Sequence, residues 1–124
     1  MTNVGSTYRR TREYQLVYCK LLSAAHARSL VSYAEIADIL TDGTADSDAT
    51  PDVGQLLNDI SEDEHDAGRP MLTALVVTGK GIPGDAFFAV ARGLAKLASA
   101  EPAEEMMFWM AEKGRVYETW THGS

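Results

Sequence analysis

The 124-residue sequence holds a single cysteine, Cys19, so no disulfide can form within the chain and the fold rests on its apolar core. One unpaired thiol suits a reducing compartment, and a cytoplasmic location is expected. No apolar run approaches the roughly 18 residues that a membrane crossing needs, so no membrane partner is expected. Residues 34–68 contain no Lys or Arg, which removes from that stretch the charge that phosphate contacts draw on. Catalytic patterns are also missing. No serine sits in a nucleophile elbow, and Thr78-Gly79-Lys80-Gly81 lacks the spacing and the following Ser or Thr of a P-loop. No catalytic residue, metal or cofactor is expected.

What is present describes one globular domain over residues 1–124, with 45% hydrophobic and 23% charged residues. The net charge of -7 is unevenly distributed. Residues 1–33 carry Arg9, Arg10, Arg12, Lys20 and Arg28 against Glu13 alone, whereas residues 34–68 carry eleven acidic side chains. Lys20 and His26 interrupt the apolar stretch behind the leading arginines, so that segment reads as part of a mature soluble protein rather than an export signal. Residues 1–10 are expected to form a flexible basic arm, and residues 42–50, small and acidic, a mobile loop. Such an acidic field repels nucleic-acid phosphates and favours basic partners.

Periodicity predicts about five helices. Tyr14, Val17, Tyr18, Leu21, Leu22 and Ala25 make one stripe of a helix over about 11–27. Ser32 with Glu35 reads as a capping box opening a second helix that ends near Thr41. Thr50-Pro51 opens a third, with Val53, Leu56, Leu57 and Ile60 inward. Met71–Val77 is short and apolar and reads as a buried strand. Ile82-Pro83-Gly84-Asp85 suits a type II turn, after which Asp85 caps a fourth helix with a stripe extending to Leu97 and Ala98. Pro102 opens a fifth, expected to bury Met106, Trp109, Met110, Val116 and Tyr117, with Trp120 a further candidate. The expected class is mainly α with a small β element, a short strand or hairpin.

The order of these segments carries a family resemblance. Leu30-Val31-Ser32-Tyr33-Ala34-Glu35-Ile36-Ala37, then Val53-Gly54, then Gly68-Arg69-Pro70 leading into an apolar strand, resembles the winged-helix C-terminal domain of alkylguanine-DNA alkyltransferases and alkyltransferase-like proteins. The likeness extends over about residues 14–97. It implies a winged-helix-like fold and a DNA-contacting role for Tyr33. It also places Met71 where the family has its nucleophilic cysteine, and a thioether has no thiolate form to accept an alkyl group. The arginine that the family places shortly before Val-Gly to fill the gap left by a flipped base has no counterpart in Thr50-Pro51-Asp52.

The residues therefore suggest recognition without reaction. The favoured reading is a binding or regulatory module for a protein partner, met by an acidic face of Asp52, Asp59, Glu62, Asp63 and Asp66. A second contact, with a partner or a homodimer mate, is assigned to Met107, Trp109, Met110 and Trp120 on the last helix. The alternative is DNA binding through Arg9, Arg10, Arg12, Tyr33, Gln55, Asn58 and Lys80. A repair or hydrolytic enzyme is the third reading. Glu62, His65 and Asp66 share a helical spacing that could ligate a metal, but three exposed polar residues in an acidic run read more simply as surface.

Overall fold

The computed structural model describes residues 12–41 and 53–122. The basic arm, the acidic loop, and with them Arg9, Arg10 and Asp52, lie outside the described residues. Helix α1 (Arg12–His26) leads into strand β1 (Val31–Ser32), which runs directly into α2 (Tyr33–Thr41). Helix α3 (Val53–Asp66), a 3-10 helix (Leu72–Leu75), strand β2 (Val76–Val77), α4 (Asp85–Gly93) and α5 (Pro102–His122) follow. The class is mainly α with a small β element, as expected. Among the described residues, no helix is long and apolar enough to cross a membrane.

The β element is a strand pair rather than a hairpin. β1 and β2 are parallel, with Val31 opposite Val76 and Ser32 opposite Val77. Parallel neighbours require a crossover, supplied here by α2, α3 and the 3-10 helix. The expected strand over Met71–Val77 is thus cut to two residues. All seven are buried, and a continuous apolar run cannot distinguish a strand from another buried segment. Helices α1, α3 and α5 all pack on the 3-10 helix. The core is accordingly built from Val17 and Leu21 of α1, Leu56 and Ile60 of α3, Met71–Leu75, and Trp109 and Val116 of α5.

Helix ends follow one pattern. Arg28 (φ 54°), Gly68 (φ 78°) and Ala95 (φ 63°) take left-handed backbone conformations after α1, α3 and α4. Beyond each, an N–H folds back to the helix: Ser29 to Ala24 O, Arg69 to Glu64 O and Lys96 to Ala91 O, each at 2.9 Å. This arrangement satisfies carbonyls that the helix leaves open. It also stops α4 at Gly93 instead of near Ala98, although Leu97 stays in the core. At the other end, Ser32 Oγ accepts the Glu35 N–H at 3.0 Å, so the expected N-terminal cap of α2 is formed. The turn before α4 differs from expectation. Gly81 takes the positive φ of 81°, its N–H meets Thr78 O at 2.9 Å, and Gly84, not Asp85, is the N-cap.

Two of the buried carboxylates form ion pairs inside this apolar frame. Glu112, fully buried, accepts the Met71 N–H at 2.8 Å, pairs with Lys96 Nζ at 3.1 Å and takes Arg115 Nη2 at 2.5 Å. Burial alone would push its carboxyl up, but the Met71 amide and the two cations outweigh this and hold it below the usual carboxylate range. Glu64, 1% exposed, receives Arg69 through Nε at 2.8 Å and Nη2 at 3.1 Å and the Tyr18 hydroxyl at 2.6 Å. Desolvation, reinforced by Glu64, pushes the Tyr18 phenol up to about 12.

Ala95→Gly removes the Cβ penalty of the left-handed turn and should raise unfolding free energy by about 1 kcal/mol in a urea titration. Glu112→Ala strands two cations and a buried amide and should lower it by about 3–5 kcal/mol. Because the folded Glu112 carboxyl lies below its unfolded value, its contribution is complete above about pH 4.3 and drains away as pH falls through the folded value. Glu112→Gln should flatten that part of the acid limb.

Candidate functional site

The first turn of α2, the outer face of α3, the 3-10 helix, β2 and α4 enclose a pocket of about 430 Å³ including its open mouth. Helix α3 supplies Gly54, Leu57, Asn58 and Ser61, spaced i, i+3, i+4 and i+7, which is one side of a helix. Thr73, Val76, Ala86, Phe87 and Val90 form the remaining wall, and Tyr33 stands at the entrance. Phe87 is held by an edge-on contact with Phe88, ring centroids 5.2 Å apart, and by Phe108 at 6.0 Å.

The polar groups of the pocket fall into two kinds. Ser61 Oγ and Thr73 Oγ1 are 2.6 Å apart and both residues are buried, so the two hydroxyls share one hydrogen bond that joins α3 to the 3-10 helix. Tyr33 is 43% exposed and Asn58 half-buried. Neither side chain forms a hydrogen bond within the described residues. The wall is therefore apolar and structurally committed, while two polar groups at its edge remain open to a ligand.

The expected acidic face divides between the interior and the surface. Asp59 is 2% exposed and accepts Gln55 Nε2 at 2.9 Å, so Asp59 is not the surface contact expected of it, while Gln55 itself is exposed. Asp63 takes the Tyr14 hydroxyl at 2.5 Å, and Tyr14 stacks on Tyr18. The two α1 tyrosines thus meet the α3 acids, a use of Tyr14 and Tyr18 that their apolar spacing concealed. Glu62 and Asp66 remain exposed. Among the described residues, no group of three or more His, Cys, Asp or Glu suits a metal ion.

The expected interface on α5 also divides. Trp109 is in the core, where its indole N–H donates to Ala74 O at 2.8 Å and Lys113 Nζ lies 4.3 Å from its ring. This corrects its assignment to an interface. Trp120 is half-buried under the Arg69 guanidinium. Met107 and Met110 do face outward, 70% and 61% exposed, which corrects the expected burial of Met110. Arg12 and Lys80 are exposed, on α1 and in the turn before α4, and neither lines the pocket.

Compared with known proteins, the chain gives no significant match to a family model, a curated protein or a solved structure.

The contrast between edge and wall can be measured. Tyr33→Ala should change stability by less than about 0.5 kcal/mol. Ser61→Ala, which leaves the Thr73 hydroxyl buried without its partner, should cost about 1–3 kcal/mol in the same denaturation assay.

Proposed function

We propose that the chain is a non-catalytic binding module, working in the cytoplasm, that seats an apolar or aromatic side chain of a protein partner in the Tyr33 pocket. The observation that carries this reading is the pairing of a committed apolar wall with the uncommitted Tyr33 hydroxyl and Asn58 amide at its mouth. Such a site buries a hydrophobic anchor and orients it through a few polar contacts.

The surrounding charge favours protein over nucleic acid. Glu35, Asp38, Glu62 and Asp85 are exposed on the elements that frame the pocket. No Lys or Arg occurs on α2 or α3, so a phosphate backbone laid across them would meet repulsion. A partner with Lys or Arg beside its anchor would be drawn in. The resemblance to alkyltransferase-like domains agrees with recognition, since Tyr33 falls at the family tyrosine. Met71, at the position of the nucleophile, is fully buried, and a methionine there offers no group for alkyl transfer. Met107 and Met110 provide an additional apolar strip for contact.

Random peptides displayed and selected on the full chain should converge on one aromatic or branched aliphatic anchor with adjacent basic residues. Ala86→Phe, which fills the pocket from α4, should weaken those peptides by about tenfold or more. Selected peptides that bind the filled pocket undiminished would refute the assignment. A salt-sensitive shift of duplex DNA, lost on removing residues 1–12 and in Tyr33→Ala, would replace it with the DNA-binding alternative.

A further inference from the structure

Three of the chain's cationic side chains converge at a place the partner-binding reading does not use. Arg69 and Pro70 follow α3, Lys96 follows α4, and Arg115 projects from α5. Together with His65 and Gly68 they line an open depression that shares no residue with the Tyr33 pocket. We propose that this depression binds a tetrahedral dianion, phosphate or a phosphomonoester.

The cations are held in place from the inside. Arg69 spends Nε and Nη2 on Glu64, and Arg115 spends Nε and Nη2 on Glu112, leaving Nη1 of each guanidinium uncommitted. Lys96 meets the other oxygen of Glu112, and an ammonium has three donors. The carboxylates beneath are 1% and 0% exposed, so an incoming anion meets the donors and not the acids. Three permanent positive charges over two buried negative ones leave a local surplus in a chain whose net charge is -7. Arginines already fixed by a carboxylate lose little freedom on binding a second oxyanion. A tetrahedral dianion has enough oxygens and charge to meet three separate donors, whereas a carboxylate offers one charge and two oxygens.

The test is a heteronuclear NMR titration of the full chain with inorganic phosphate at about pH 7.5, where phosphate is largely dianionic, with ionic strength held constant by sodium chloride. The Arg69 and Arg115 Nε–H signals should shift saturably, as should the indole signal of Trp120, whose ring lies 5.5 Å from the Arg69 guanidinium carbon. Acetate should be at least about tenfold weaker. Phenyl phosphate separates the two sources: tighter binding than inorganic phosphate identifies an ester ligand, and equal binding identifies the free ion. Arg115→Gln keeps Lys96 on Glu112 and should weaken phosphate by about fivefold or more, while Lys80→Gln, in the exposed turn, should not. Shifts that fail to saturate, that acetate reproduces, or that persist at full affinity in Arg115→Gln would overturn the proposal. Should Arg115→Gln unfold, the wild-type shifts decide by whether they localise to these residues.

Discussion

Glu112 takes the Met71 amide hydrogen inside the core at 2.8 Å, and the placement of the chain's most buried segment depends on that contact. A carboxylate with no exposure is expensive to desolvate, and replacing such a group and its partners with hydrocarbon would often preserve stability. Its consequence here is positional. Lys96 arrives from the end of α4 and Arg115 from one turn further along α5, so one side chain ties two helices to the start of the 3-10 helix. Glu64 does the same two residues earlier through Arg69 and Tyr18. With Arg69 and Met71 both fixed, Thr73 and Val76 have no freedom to leave the pocket wall.

The acidity of the chain consequently has two physical roles. Asp59 and Glu64 are buried and Asp63 half-buried; Asp59 accepts from Gln55, Asp63 from Tyr14 of α1, and Glu64 from Tyr18 of α1 and from Arg69. Glu62 and Asp66 point to solvent, contributing to solubility and to the long-range field. A block of like charge in sequence is therefore not a block in space. Helical geometry places consecutive residues about 100° apart, and α3 uses this to send neighbouring acids in opposite directions.

The same geometry sets how much of the molecule was legible beforehand. The apolar stripes of α1 and α3, the Ser32 cap and the opening of α5 at Pro102 follow from spacing and end chemistry alone. The 3-10 helix was not legible, because Met71–Val77 is buried on every side and shows no period. Nor was the end of α4, because the left-handed position is filled by Ala95 while a glycine sits two residues earlier. Glu112 was closer to reach: it shares its helical face with Trp109 and Val116, three and four residues away. Glu64 likewise lies four residues after Ile60. An acid on an apolar stripe signals a buried ion pair, and composition-level charge counting hides it. Of the pocket, Tyr33 and Asn58 were marked by type and position. The Ser61–Thr73 pair was not, because two hydroxyls twelve residues apart carry no pattern until the fold joins them.

The pocket and the basic depression draw on one segment from opposite ends. Arg69 and Pro70 line the depression, whereas Thr73 and Val76 line the pocket. Met71 and Leu72 between them are fully buried. Close-packed interiors do not deform continuously, so the eight-residue stretch Arg69–Val76, anchored by Glu64, Glu112 and the Ser61 hydroxyl, behaves as a rigid bar and not as a hinge. A rigid bar presents preformed sites, which lowers the ordering cost of binding at either end. It also explains why methionine suits position 71: the side chain faces a core that needs filling, its backbone amide is already bonded, and an unbranched thioether packs there without adding a polar group.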